Sequence, residues 1–132
     1  MKVLAIALGG ALGAVSRYGT GSLAVRIGGQ FFPWGTFFVN MAGAFLIGFL
    51  SSFFERFLVP PALRSFLLVG FLGSYTTFST YMLESVRLLQ DREYVTALFN
   101  LLGGMFLGML FVLAGLYVGR LCILWIYQGV QR

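Results

Sequence analysis

An all-α integral membrane protein with four transmembrane helices is the fold that this sequence predicts, on three observations. Of its 132 residues 59% are hydrophobic and only 10% are charged, where a soluble domain carries about 25% charged residues. Mean hydropathy is +0.92, and a chain this small has no core able to hide so much apolar surface from water. Charge-free runs cover residues 27–54, 65–83 and 94–119, each close to or above the roughly 20 residues that cross a bilayer.

The predicted spans are about 3–27, 34–54, 63–89 and 94–124, within one domain covering 1–132. The first is interrupted by Arg17 and Arg26. Its start, MKVLAIALGGALGAVSR, has the Lys, short apolar run and small residues of a signal peptide. Because the rest of the chain is itself membrane-embedded, this stretch reads instead as the first span, which can serve as the insertion signal. GGQFFPWG separates it from the second span, which ends at ERFLVPPALR, where Pro60 and Pro61 cannot continue a helix. The third span ends at the water-seeking QDRE of residues 90–93, and the fourth runs on from there.

Within the third span, Gly70 and Gly73 precede five Ser/Thr among the seven residues 74–80. Glycine and hydroxyl side chains make a poor helix interior. Backbone released in a bilayer is tolerated only where it is buried in protein or lines a watery cavity. Transporters place such breaks near the midplane and use the freed carbonyls to hold cations. A third helix broken near the midplane is therefore expected; the other reading is a hydroxyl-rich helix bonding back to its own carbonyls.

Charge excludes several functions. Nine Lys/Arg against four acids give a net charge of +5, scattered along the chain rather than gathered into the basic face that nucleic acid requires. It suits span ends beside anionic lipid. Cys122 is the only cysteine and there is no histidine, so neither an internal disulfide nor a metal cluster has its parts. Glu55, Glu84, Asp91 and Glu93 are expected at or near span ends. With no Cys–His pair and no close carboxylate couple, nucleophilic and general-base catalysis have no candidates, and the chain reads as no enzyme.

Four spans put Lys2, Arg56, Arg64, Arg120 and Arg132 toward one side, and Arg17, Arg26, Arg87 and Arg92 toward the other. Such a split carries almost no positive-inside bias. It fits a single weakly biased topology, or a chain that inserts both ways and pairs antiparallel with itself. Four helices are also few to enclose a pore.

A handful of intramembrane polar residues remain. Arg17 either snorkels to the headgroups or forms a vestibule charge that attracts anions. Asn40 stands alone in GTFFVNMAGAFLIG; it either bonds a neighbouring helix or offers an anion an uncharged N–H donor. Phe78 and Tyr81 share the hydroxyl-rich element with Ser79 and Thr80, and their positive ring edges can line an anion path. Asn100, Gly104 and Gly108 recur every four residues, as one helix face would require; a packing seam and a pore wall both fit.

GGALGAVSRY, GTFFVNMAGAFLIG and GFLGSYTTFSTYMLE, in this order and with these gaps, resemble the CrcB/Fluc fluoride channels over nearly the whole chain. The resemblance implies a passive channel exporting F⁻ from the cytoplasm to relieve fluoride toxicity, located in the cell inner membrane. It implies a dual-topology antiparallel homodimer with two pores and a structural Na⁺ at its centre, and no organic cofactor. On it, Gly73 and Thr76 give backbone carbonyls to Na⁺, and Asn40 is the pore asparagine. Phe78, Ser79 and Thr80 line the pore, joined by Asn100 on the fourth helix, and Arg17 stands at the vestibule. Tyr81 occupies a position where the family usually carries phenylalanine. Its ring edge is kept, and its hydroxyl could either bind fluoride or turn the ring.

A small dual-topology, proton-coupled antiporter of the multidrug type is the alternative. It needs an intramembrane carboxylate, and Glu84 is the only candidate in the later spans. A non-transporting scaffold would gain nothing from a broken, polar helix.

Overall fold

A computed structural model describes residues 1–130; Arg132, one of the arginines weighed for orientation, lies outside the described residues. Four helices are long and apolar enough to cross a membrane: the first span Lys2–Gly28, the second Trp34–Arg56, the third Pro61–Gln90 and the fourth Tyr94–Gly129. The first ends at Gly29, whose φ of 80° suits a residue without Cβ. Pro61 opens the third span at its first turn, where a missing N–H costs nothing.

The spans pack mainly in two pairs, first with third and second with fourth. Small residues let the backbones meet. A Cβ at Gly13 would collide with the Phe71 carbonyl, and one at Gly70 would lie 2.6 Å from Ile6 O. On the other side, a Cβ at Gly48 would strike Val112 O and one at Gly115 would strike Phe45 O. Close backbone approach of this kind drives helix association where lipid gives no hydrophobic contrast.

Neither the third nor the fourth span is wound as one regular α-helix. In the third, Ser65–Leu72 is π-helical and Gly73–Tyr75 returns to α geometry. Thr76 (φ −82°, ψ 159°) and Thr77 (φ −148°, ψ 116°) are extended, and helix resumes over Phe78–Gln90. The glycines are not where the chain leaves helical dihedrals: Gly73 is helical at φ −62°, ψ −30°, and Gly70 serves close packing instead. The departure falls on two β-branched residues, which suit extended backbone.

In the fourth span, a wide π-turn over Phe99–Gly103 separates Tyr94–Leu98 from Gly104–Val130. The regular spacing of Asn100, Gly104 and Gly108 therefore does not describe one α-helical face. Asn100 is 1% exposed, Gly104 lies under the Tyr81 ring, and Gly108 faces Met41 Cε.

Candidate functional site

The site grows from the extended pair in the third span. A continuing helix would give the Thr77 N–H to Gly73 O. That N–H donates instead to Asn40 Oδ1 at 2.8 Å, and Asn40 Nδ2 donates to Thr77 O at 3.0 Å. The Asn40 amide thus pairs with Thr77 much as a neighbouring strand would. Helix restarts because Thr77 caps it: its hydroxyl oxygen accepts from Thr80 N–H at 3.4 Å and the hydroxyl donates to Thr80 Oγ1 at 2.9 Å. A threonine before a helix start is a favoured cap. The same diversion takes the Thr80 N–H away from Thr76 O. The carbonyls of Gly73 and Thr76 are thereby deprived of their helical donors, and among the described residues Thr76 O accepts only a long bond, 3.4 Å, from Arg17 Nη1.

Cavities flank this crossing. One of about 260 Å³ is lined by Asn40, Thr76, Thr77, Phe78, Tyr81 and Gly104, among others. A larger one of about 580 Å³ includes Arg17, Thr36, Thr77, Thr80 and Glu84 in its lining. Thr77 borders both. A third, about 340 Å³, brings Gly73 and Thr76 together with Asn40 and Gly43. Arg17 is half-buried and reaches inward to the Thr76 carbonyl, so in this chain it does not simply stretch toward the headgroups.

The aromatic pair divides. Phe78 is 73% exposed, whereas Tyr81 is 7% exposed; their ring centroids are 6.2 Å apart at 48°. The Tyr81 hydroxyl donates to Leu101 O at 2.5 Å, with Asn100 O also within reach at 3.0 Å. Asn100 Nδ2 donates to Ser85 Oγ at 2.9 Å, and that hydroxyl donates to Tyr81 O at 2.8 Å. Asn100 therefore sits in a buried network behind Tyr81, away from the lining of the smaller cavity. Ser79 is exposed and Thr80 faces the larger cavity.

Glu84 lies well inside helix Phe78–Gln90 rather than at a span end. Its Oε1 accepts from Thr36 Oγ1 at 2.8 Å, and its Oε2 is buried without a partner. Reading the sequence alone passed over Thr36, Thr77 and Ser85. Each had a signal: Thr36 precedes Asn40 by one helical turn, Ser85 lies one turn beyond Tyr81, and Thr77 stands three residues before Thr80 as a cap does.

Four apolar spans with a part-buried polar crossing between them define a multi-pass helical membrane protein. Residues 4–116 match the family described as "CrcB-like protein, Camphor Resistance (CrcB)", and the chain belongs to that family. It is 45% identical over 122 residues to a protein of Magnetococcus marinus named fluoride-specific ion channel FluC, covering 92% of this chain and 99% of that one. A protein of the same name from Dehalococcoides mccartyi is 42% identical over 121 residues, 91% of this chain and 93% of its own. One from Rhizobium meliloti is 43% identical over 119 residues, 89% and 95% of the two chains. These relatives give no support to the multidrug antiporter.

Proposed function

We propose that this chain is a fluoride channel that lets F⁻ leave the cytoplasm passively through the inner membrane, relieving fluoride toxicity. One observation carries the reading. In a chain this similar to channels named for fluoride, an uncharged cavity is lined by Asn40, Phe78 and Tyr81 beside non-helical backbone. A strongly hydrated anion must exchange water for donors, yet be held weakly enough to leave. An amide and ring edges suit that demand, where a lysine in the path would trap the ion. The second hydrogen of Asn40 Nδ2 is the one available to an anion, since the first goes to Thr77 O. Arg17 at the larger cavity adds positive potential at the approach.

The proposal includes an antiparallel dual-topology homodimer, a third helix broken near the midplane, and Na⁺ held between the chains. The extended dihedrals of Thr76 and Thr77 support the break. The nearly even distribution of arginine supports insertion both ways. For Na⁺, the donor set fits: Gly73 O and Thr76 O have lost their helical N–H partners, and neutral carbonyl oxygens are what a hard cation takes. When bound, the ion would take up the free lone pairs of those carbonyls and tie two chains together. The chain's own contribution is to keep their helical donors engaged elsewhere, the Thr77 N–H by Asn40 and the Thr80 N–H by the Thr77 hydroxyl.

Fluoride efflux from liposomes holding the purified protein, with chloride as control, tests the reading. Rapid fluoride loss with chloride retained is expected; fluoride loss no faster than from empty liposomes would overturn it. Two arginines added after the last residue should lock one orientation and lower efflux, and coexpression with an oppositely locked chain should restore it.

A further inference from the structure

The Tyr81 hydroxyl has a task that a ring edge in an ion path does not explain. We propose that it is a latch: by bonding the carbonyls of the π-turn in the fourth span, it holds that turn open and sets which face of the fourth span meets the cavity. Tyr81 is then a positioning residue for the passage, and this inference rests on the fluoride-channel reading.

A turn closed by i→i+5 bonds holds one residue more than an α-turn and strands a carbonyl where the two geometries meet. In a bilayer such a carbonyl needs a donor from within the protein. Tyr81 supplies one, to Leu101 O at 2.5 Å with Asn100 O beside it at 3.0 Å, both within Phe99–Gly103. The bond is one side of a closed circuit. Asn100 Nδ2 donates to Ser85 Oγ, and Ser85 Oγ donates to Tyr81 O, so third and fourth spans are tied through side chain and backbone of both. All three residues are buried.

The wide turn sets the rotation of the helix beyond it. One residue of helix corresponds to a rotation of roughly 100°. If the π-turn closed into α geometry without losing a residue, Gly104 and Gly108 would swing away from the cavity they line, and larger neighbours would swing in. Gly104 is also fitted to the latch: a Cβ there would lie 3.1 Å from both Tyr81 Cε2 and its hydroxyl oxygen. A phenylalanine at position 81 would keep the ring edge and lose the latch.

The test compares wild type, Tyr81→Phe, and Tyr81→Phe with Leu102 deleted. The deletion removes the extra residue, so the fourth span can run as continuous α-helix with no stranded carbonyl and with Gly104 and Gly108 still facing the cavity. Amide exchange over residues 99–108 and fluoride efflux from liposomes are measured on each. Tyr81→Phe is expected to exchange about tenfold faster there and to pass fluoride about tenfold more slowly, the scale of one lost buried hydrogen bond. The deletion should restore both. Unchanged exchange in Tyr81→Phe overturns the latch, and faster exchange with undiminished efflux overturns its positioning role. If Tyr81→Phe does not assemble, an assembled and conducting deletion variant supports the proposal and a non-assembling one overturns it. A wild type that passes no fluoride would sink the channel reading, while the exchange comparison would still decide the latch.

Discussion

The seam between the second and fourth spans and the crossing around Thr76–Thr77 solve the same problem in opposite ways. At the seam, Gly48 and Gly115 bring two regular helices close enough for backbone to touch backbone, and almost every polar group stays within its own helix. Ser52 is the exception, donating at 3.1 Å to Leu116 O across it. At the crossing, regular helix is given up, and side chains from other positions replace the lost ladder: Asn40 for Thr77 and the Thr77 hydroxyl for Thr80. At the seam, side-chain bulk added at Gly48 or Gly115 would run into the backbone of the facing helix. The crossing leaves donors and carbonyls beside cavities, which is what passage of an ion requires.

The contrast can be broken at its stiffest point first. Gly115→Val forces a branched side chain against Phe45 O and Phe49 N. Overpacking typically costs about 1–3 kcal/mol and more where backbone is the obstacle. No monodisperse protein is expected on gel filtration; normal assembly would mean the seam has slack.

Asn40→Ala comes next. It removes both bonds to Thr77 and leaves a half-buried N–H and C=O without them, at up to about 1–3 kcal/mol. Folded protein should still be recovered with a lower thermal midpoint, and fluoride efflux should fall to background. Wild-type efflux from a folded Asn40→Ala protein would detach the amide from the passage.

Phe78→Ile sharpens the contrast differently. The side chain is largely exposed, so stability should change by no more than about 0.5 kcal/mol. Fluoride efflux should nonetheless be nearly lost, because isoleucine has no positive ring edge. Undiminished efflux would make Phe78 a packing residue only.

Thr77→Val is the mildest change. It keeps the β-branch that suits extended backbone and removes the cap on Phe78–Gln90, costing about 1 kcal/mol. Thermal melting should drop by a few degrees with the Asn40 pairing intact and efflux largely preserved. A collapse of efflux would assign the Thr77 hydroxyl to the passage itself.

Hydropathy and punctuation determined the four spans, because a bilayer of fixed thickness demands a run of apolar residues and proline or mixed charge ends it. The importance of residues 73–81 was also legible, since no helix interior favours so many hydroxyls after two glycines. Where the helix gives way was decided only by tertiary structure. Glycine propensity pointed to Gly73, yet the partner that claims the Thr77 N–H is Asn40, 37 residues away, and local sequence carries no trace of that pairing. The same holds for Asn100 and Tyr81, 19 residues apart. Regular helical spacing put Asn100 on a face with Gly104, but Asn100 lies within a π-turn, buried and bonded to Ser85 of the third span. Periodicity assumes that each helix satisfies its own backbone, and this protein departs from that rule where its candidate ion path lies.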